Sequence, residues 1–312
     1  MLPEGADDRQ RPLGRRSAPT ATVRDDGHVD DDYDLMDAGD GARLERFGPY
    51  LVDRPAPGAL AARRSPDRWA ATDLRFDRRS GWSGPALAEA ERGWTIQVTD
   101  TQLELRPTAA GQLGVYPEHA QHLPWLTAQV AGRARDGEGE SVDVLHLFAA
   151  TGLATLAMAG AGAAVTHVDA ARPTVAWARR NAERNSLADR PIRWIVDDAL
   201  GFAERERRRG RRYTGIVLDP PSYGHGARGA STTWSLERDL LSLLAVCATL
   251  VTETGFVLLT AHTEGVGPDD LSDALDDSIA RPGVASATEV ELEAASGAVL
   301  SLGAAATWDG RA

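Results

Sequence analysis

The chain has 312 residues, enough for two domains or one large one with a well-buried core. Its single cysteine, Cys247, excludes an internal disulfide and a multi-cysteine zinc or iron–sulfur site, and fits a reducing compartment. The formal charge is −12 and the chain contains no lysine, which excludes a lysine Schiff base and a Walker-type phosphate loop.

The charge is uneven. Residues 1–40 carry 11 acids against 5 arginines and residues 262–312 carry 10 acids against 2, so the stretch between is close to balance. Strongly acidic ends argue against non-specific nucleic-acid binding by those ends, not by the middle. The longest apolar stretch, 153–165, is shorter than the ~20 residues a bilayer requires, and the N-terminus is charged, so the expectation is a soluble, cytoplasmic protein with no membrane partner.

Residues 1–30 have almost no large apolar side chain and no period, and are expected to be a disordered tail. From 31 to 110 the pattern is one of short strand-like pieces rich in Trp at 50–52, 69–71, 94–98 and 102–105, the last two flanking a turn at 99–101. This predicts a small β-rich accessory domain with Trp69, Trp82 and Trp94 in its core. After a polar link at 133–140, buried strands at 142–148, 164–169, 192–196, 215–219 and 255–261 alternate with helices at 153–161, 173–185, 199–209 and 233–250. A fifth helix near 268–280 and a hairpin of 289–294 with 298–305 complete a domain spanning 111–312. Alternation of this kind predicts an α/β fold with a parallel sheet covered on both faces.

Ligands of such sheets bind beyond the carboxyl ends of the strands, so candidate residues are sought there. The first strand runs into Phe148, Ala149, Ala150, Thr151 and Gly152 and then a helix, where small residues admit a ligand to the backbone and the helix offers unpaired N–H groups. The dinucleotide fingerprint is absent from this turn, which weakens a nicotinamide oxidoreductase. The second strand ends in Asp169, positioned to accept both hydroxyls of a ribose or else to cap a helix. The third ends in Asp197 and Asp198, positioned to accept from an adenine amino group or to cap the next helix. The fourth ends in Asp219, Pro220, Pro221, Ser222 and Tyr223: an acid, a rigid turn and an aromatic face, which together suit a planar amine.

These stretches resemble the class I S-adenosylmethionine-dependent methyltransferases, and more narrowly the branch of large-subunit ribosomal RNA methyltransferases that act on cytosine C5 or guanine N7. The resemblance is carried by VLHLFAATGLATLAMAGAGAAVTHVDAARPTVAWARRNAERN at 144–185, IVDDAL at 195–200, IVLDPPSYG at 216–224 and GQLGVYPEHAQH at 111–122. It implies a Rossmann-like seven-stranded sheet with a terminal antiparallel hairpin and S-adenosyl-L-methionine as cofactor. It also implies Phe148 to Gly152 around the methionine portion, Asp169 on the ribose, Asp198 beside the adenine, and Asp219 to Tyr223 facing methyl group and acceptor. Ribosomal RNA is the implied substrate, with a protein or small-molecule acceptor, or a binding module that has lost catalysis, as alternatives.

His146 stands where the branch often carries an acid, and Ala-His-Thr at 261–263 stands where cytosine-C5 relatives carry a cysteine. Cytosine C5 normally needs a thiolate adduct at C6, and Cys247 lies on an apolar helical pattern that reads as a buried structural cysteine. A nitrogen or oxygen acceptor is therefore expected. His119 and His122, beside Glu118, have metal-binding spacing but no third ligand in view, so no metal is expected. His225 and His262 read as histidines on the rim of the sheet.

Overall fold

The computed structural model describes residues 32–136, 141–224 and 234–311. The expected tail at 1–30, the end of the link at 137–140, His225 and the first residue of the 233–250 helix lie outside the described residues.

Strands β1 (Tyr33–Gly39), β2 (Ala42–Phe47) and β3 (Tyr50–Pro55) form an antiparallel meander. β4 (Leu74–Asp77) joins β3 in parallel, and β5 (Gly81–Ser83) closes a five-stranded sheet. Neither β1 nor β2 stands out in the hydropathy, because their inward positions include Asp37, Arg43 and Glu45. Burial of such groups requires partners. Glu45 takes two hydrogen bonds from Arg54 at 2.8 and 2.9 Å and a third from the Tyr33 hydroxyl at 3.1 Å.

The expected strand at 69–71 is instead the end of a short helix, α1 (Pro66–Trp69). Proline in the first turn presets the helical φ, and Trp69 is buried with its indole N–H on Asp37 at 2.9 Å. After α2 (Leu87–Ala90), the expected hairpin is present as β6 (Trp94–Val98) and β7 (Thr101–Leu105). A 3-10 helix (Pro117–His122) then leads into α3 (Leu123–Asp136). The polar link expected from residue 133 therefore begins later. Arg133 is buried on α3, bonded to the Thr254 and Gly255 carbonyls and to Asp309 at 2.7 Å, an ion pair invisible to a reading of local polarity.

The main sheet has seven strands in the order β10-β9-β8-β11-β14-β16-β15. β8 (Asp143–Leu147), β9 (Ala164–Asp169), β10 (Ile192–Val196), β11 (Tyr213–Leu218) and β14 (Val251–Ala261) are parallel. β15 (Val284–Glu293) and β16 (Val299–Asp309) form the antiparallel terminal hairpin, which runs further from its turn than the expected 289–294 and 298–305. The helices between are α4 (Leu153–Gly160), α5 (Arg172–Arg184), α6 (Ala199–Arg208), α7 (Leu236–Leu250) and α8 (Pro268–Ser278), and two short strands, β12 (Tyr223–Gly224) and β13 (Trp234–Ser235), pair before α7. The α/β fold with a seven-stranded sheet, a terminal hairpin and a preceding β-rich part is thus the one expected.

On α7 the buried residues Leu236, Leu240, Leu243, Leu244, Cys247 and Leu250 recur at helical spacing, which places Cys247 in the core. The apolar core is continuous from Phe47 and Leu103 through Leu113 to Val144 and Leu156, so the β-rich part packs directly on the main sheet. Asn181 on α5 and Asn185 at its C-cap, one turn apart, extend that contact. Their side-chain oxygens accept the backbone N–H groups of Glu104 and Gln102 at 3.0 and 2.8 Å, covering a strand edge that would otherwise be unpaired.

Candidate active site

The chain order reverses between β8 and β11: β9 and β10 extend the sheet on one side, β14 on the other. Beyond the carboxyl ends of these strands lies a cavity of about 1720 Å³. This is the position the topology favours, since successive connections leave in opposite directions there and open a crevice.

The turn after β8 forms one wall. Phe148 and Ala150 hold left-handed backbone at φ 56° and 47°, and Gly152 follows at φ 95°. Side chains rarely adopt that region, so outside contacts must hold the turn. Asp169 does so: its two carboxylate oxygens accept the N–H groups of Ala150 at 3.0 Å and Ala171 at 2.9 Å, joining the turns after β8 and β9. Burial raises the Asp169 carboxyl above its ordinary range, although these two donors pull it down. Phe148, Ala150 and Asp169 line the cavity. Ala149, Thr151 and Gly152 are buried behind it, with Thr151 donating to the Gly114 carbonyl.

Asp197 and Asp198 also line the cavity. Asp198 caps α6, accepting the Gly201 N–H at 2.7 Å, so the capping alternative holds for one of its oxygens. Asp197 accepts the Asp198 N–H at 3.0 Å and pairs with Arg205.

After β11, Asp219, Pro220 and Pro221 line the cavity, whereas Tyr223 is 75% exposed and is not among the lining residues. The corner is pinned from outside: the Trp234 indole donates to the Pro221 carbonyl at 2.7 Å and Leu236 N–H to that of Ser222 at 3.0 Å. Trp234 also packs its ring on Phe148 at 4.9 Å, linking the first and fourth strand ends.

Asp219 has partners that its place in the sequence did not reveal. His119, from the 3-10 helix, brings Nε2 to 3.2 Å from Oδ2, His262 brings Nε2 to 3.3 Å from Oδ1, and the Thr260 hydroxyl donates to Oδ1 at 2.6 Å. The two imidazole Nε2 atoms are 3.2 Å apart, and Nδ1 of His262 lies 2.6 Å from the Leu302 carbonyl. Burial alone would raise Asp219, but the imidazoles hold it well below the usual carboxylate range. Burial would lower His262; the carboxylate outweighs it and lifts that ring to about 9, and His119 is raised for the same reason. His122 lacks such a partner and burial takes it down to about 4. His119, spaced from His122 as a metal pair would be, is thus partnered by Asp219 and His262 instead.

The opposite wall comes from Arg43 of the β-rich part, Gln112, Tyr116 and Glu118 of the segment and 3-10 helix that follow it, and the stretch 300–303 of the terminal hairpin. Burial, followed by the charges of Asp219 and Glu118, pushes the Tyr116 hydroxyl up to about 12. Arg43 Nη1 and Glu118 Oε2 are buried and have no hydrogen-bond partner among the described residues. Gln112, Tyr116 and Glu118 fall in the 111–122 stretch that carries the family resemblance, but nothing in the sequence placed them, or Arg43, at this cavity.

His146 and His167, on β8 and β9, share the buried Thr155 hydroxyl at 2.8 and 2.9 Å. Burial lowers His146 to about 3 and also holds His167 well below its ordinary value, so the position often acidic in the resembled branch holds a neutral ring.

No protein-family model matches the chain. Among solved structures, the S-adenosylmethionine-dependent methyltransferase from Agrobacterium tumefaciens is 33% identical, with a TM-score of 0.82 over 89% of this chain and 90% of its own. The chain belongs to the S-adenosylmethionine-dependent methyltransferases. This methyltransferase accordingly uses S-adenosylmethionine as its cofactor. A Streptococcus mutans chain of 16% identity aligns with a TM-score of 0.70 over 89% of this chain and 75% of its own, a likeness of fold alone. Among curated proteins, ribosomal RNA large subunit methyltransferase K/L from Syntrophotalea carbinolica is 35% identical over 124 residues, which is 39% of this methyltransferase and 16% of the relative. The chain thus matches a small part of the curated relatives' length. No helix among the described residues is long and apolar enough to cross a membrane.

Proposed function

We propose that this methyltransferase transfers the S-adenosylmethionine methyl group to a nitrogen or oxygen atom of ribosomal RNA, in the cytoplasm. The likeness to ribosomal RNA large subunit methyltransferases over 103 to 124 residues supports the substrate. The observation that carries the choice of atom is the location of the sole thiol: Cys247 is 2% exposed on α7 and burial pushes it up to about 12, so it cannot add to a cytosine ring.

In this reading Phe148, Ala149, Thr151 and Gly152 form the turn around the methionine portion of the cofactor. Asp169 accepts from the ribose, and Asp197 and Asp198 flank the adenine. Carboxylate oxygens that already accept one N–H retain lone pairs for a further donor. The sulfonium supplies the reactive methyl group, and the protein's task is to hold the acceptor in line with it. Asp219, Pro220 and Pro221 bound that position, and Tyr223 offers its exposed face to a base at the entrance. Residues 31–110 act as the accessory part that closes the acceptor side; Arg43 of that part and Glu118 of the 3-10 helix present one donor and one acceptor to the incoming group.

The test is mass spectrometry of modified nucleosides in ribosomal RNA from cells with and without the gene, followed by transfer of labelled methyl to the unmodified RNA. One N- or O-methylated nucleoside lost with the gene and restored by the protein is the expected result. A lost 5-methylcytosine, or transfer only to protein or small molecules, would overturn it.

A further inference from the structure

We propose that His119, Asp219 and His262 form a binding site for a borderline divalent transition-metal ion, of which Zn2+ is the type, at the floor of the acceptor cavity. The three residues are remote in sequence and belong to the 3-10 helix, the end of β11 and the end of β14. Their ligand atoms nevertheless converge: Nε2 of His119 and Oδ2 of Asp219 are 3.2 Å apart, the two Nε2 atoms 3.2 Å, and Nε2 of His262 and Oδ1 of Asp219 3.3 Å. Metal–ligand bonds of about 2.0–2.1 Å in a tetrahedron put neighbouring ligands about 3.3 Å apart. The two imidazole nitrogens have that spacing from each other and each from its nearer Asp219 oxygen, and one ligand atom from each residue lies within 4.8 Å of the other two, close enough to converge on one ion.

The hydrogen bonds behind the ligands point the same way. The Leu302 carbonyl only accepts, so Nδ1 of His262 carries a proton, which leaves its Nε2 to face an anionic oxygen and another imidazole. These atoms are held together by positive charge, either protons on the imidazoles or a metal ion. A carbonyl behind a histidine ligand and a hydroxyl behind a carboxylate, here Thr260 on Asp219 at 2.6 Å, are the usual supports of such a site. A shared proton is the competing occupant, which a metal ion displaces. Two imidazoles and one carboxylate select a borderline ion over Mg2+ or Ca2+, which prefer all-oxygen shells.

Asp219 and His262 line the cavity, so an ion bound there has positions open to it. An oxygen or nitrogen of the methyl acceptor is the ligand such positions take, and the ion would polarise it. That last step rests on the proposed transfer reaction; ion binding itself does not.

The experiment uses the full-length chain stripped with a chelator and titrated calorimetrically with Zn2+, with Mg2+ as the contrasting ion and Co2+ as a spectroscopic probe. One Zn2+ per chain, no measurable Mg2+ binding, and visible Co2+ bands of a four- or five-coordinate site are expected. His119→Ala and His262→Ala should each weaken Zn2+ binding by about 100-fold or more and abolish the Co2+ bands. S-Adenosylhomocysteine titration and thermal melting show that each variant is folded. Absence of stoichiometric Zn2+ binding, or binding that folded His119→Ala and His262→Ala proteins retain, overturns the proposal and leaves a proton as the occupant. Zn2+ binding without S-adenosylhomocysteine binding would instead count against the cofactor placement and leave the metal site standing.

Discussion

Asp169 accepts the Ala150 N–H at 3.0 Å and so couples the end of β9 to a turn whose residues Phe148 and Ala150 are held at positive φ. A residue expected to hold a ribose thus also shapes the adjoining wall of the pocket.

Asp169→Ala should therefore weaken S-adenosylmethionine binding by about 1.5–3 kcal/mol, roughly 10- to 150-fold, through lost ribose contacts and a loosened turn together. Isothermal titration measures the loss, and circular dichroism should show an unchanged fold. Asp169→Asn, which keeps one accepting oxygen, should fall between the two. Unchanged affinity in folded Asp169→Ala would remove this residue from the cofactor site.

Asp219 and Tyr223 are close in sequence yet differ in setting, the first enclosed by imidazoles and the second 75% exposed. Asp219→Ala should lower turnover by ~10²-fold or more, because the acceptor position loses its boundary. Tyr223→Ala should leave turnover and cofactor affinity near wild type and raise the RNA KM by the ~1–3 kcal/mol a stacked base contributes. Steady-state kinetics with the identified RNA separates the two; a Tyr223→Ala defect confined to turnover would contradict base stacking at the entrance.

Cys247 should be chemically silent. In the native protein it should resist iodoacetamide, becoming labelled only on unfolding, since it is buried and its thiol is pushed up to about 12. Cys247→Ser should keep methyl transfer while losing roughly 1–3 kcal/mol of stability from a hydroxyl placed in an apolar helix face. Mass spectrometry of the alkylated protein and a transfer assay check both. Loss of transfer in a folded, cofactor-binding Cys247→Ser protein would restore a covalent cytosine mechanism.

A stability prediction follows from Asp37, which is fully buried and ties β1 to two distant segments. It accepts from the Trp69 indole at 2.9 Å, Ser65 N–H at 2.9 Å, Ala38 N–H at 3.0 Å and the Ser296 hydroxyl at 2.7 Å. Burial alone would raise its carboxyl, yet these donors hold it below the ordinary value. A depressed folded-state pKa stabilises above the unfolded value, about 4, and the contribution disappears as pH falls through the folded one. Asp37→Ala should thus cost on the order of 3 kcal/mol at pH 7, with the difference from wild type shrinking toward pH 3. Urea unfolding across that range measures it, and a difference independent of pH would contradict the charge's role.

Much of this protein was determined by local sequence. Buried apolar runs such as 144–147 and 164–168, alternating with helical periods, specify a parallel sheet, because each strand must be covered on both faces and each crossover must return the chain in the same direction. That arrangement brings Asp169, Asp198 and Asp219 to one edge whatever the rest of the chain does, so candidate residues at strand ends were legible. The Cys247 stripe on α7 was legible for the same reason: helical period and burial are local properties.

Only the tertiary structure decided what surrounds them. β1 and β2 bury Glu45 against Arg54, and α3 buries Arg133 against Asp309; a charge neutralised by a distant partner looks, in sequence, like a solvated one. The partnership of Asp219 with His119 and His262 has the same origin. Each histidine alone is an ordinary polar residue, and it is the seating of the 3-10 helix at the ends of β11 and β14 that brings the two imidazoles within 3.3 Å of Asp219 oxygens and of each other. Periodicity encodes which face of an element is buried, but it carries no record of which remote side chain will meet that face.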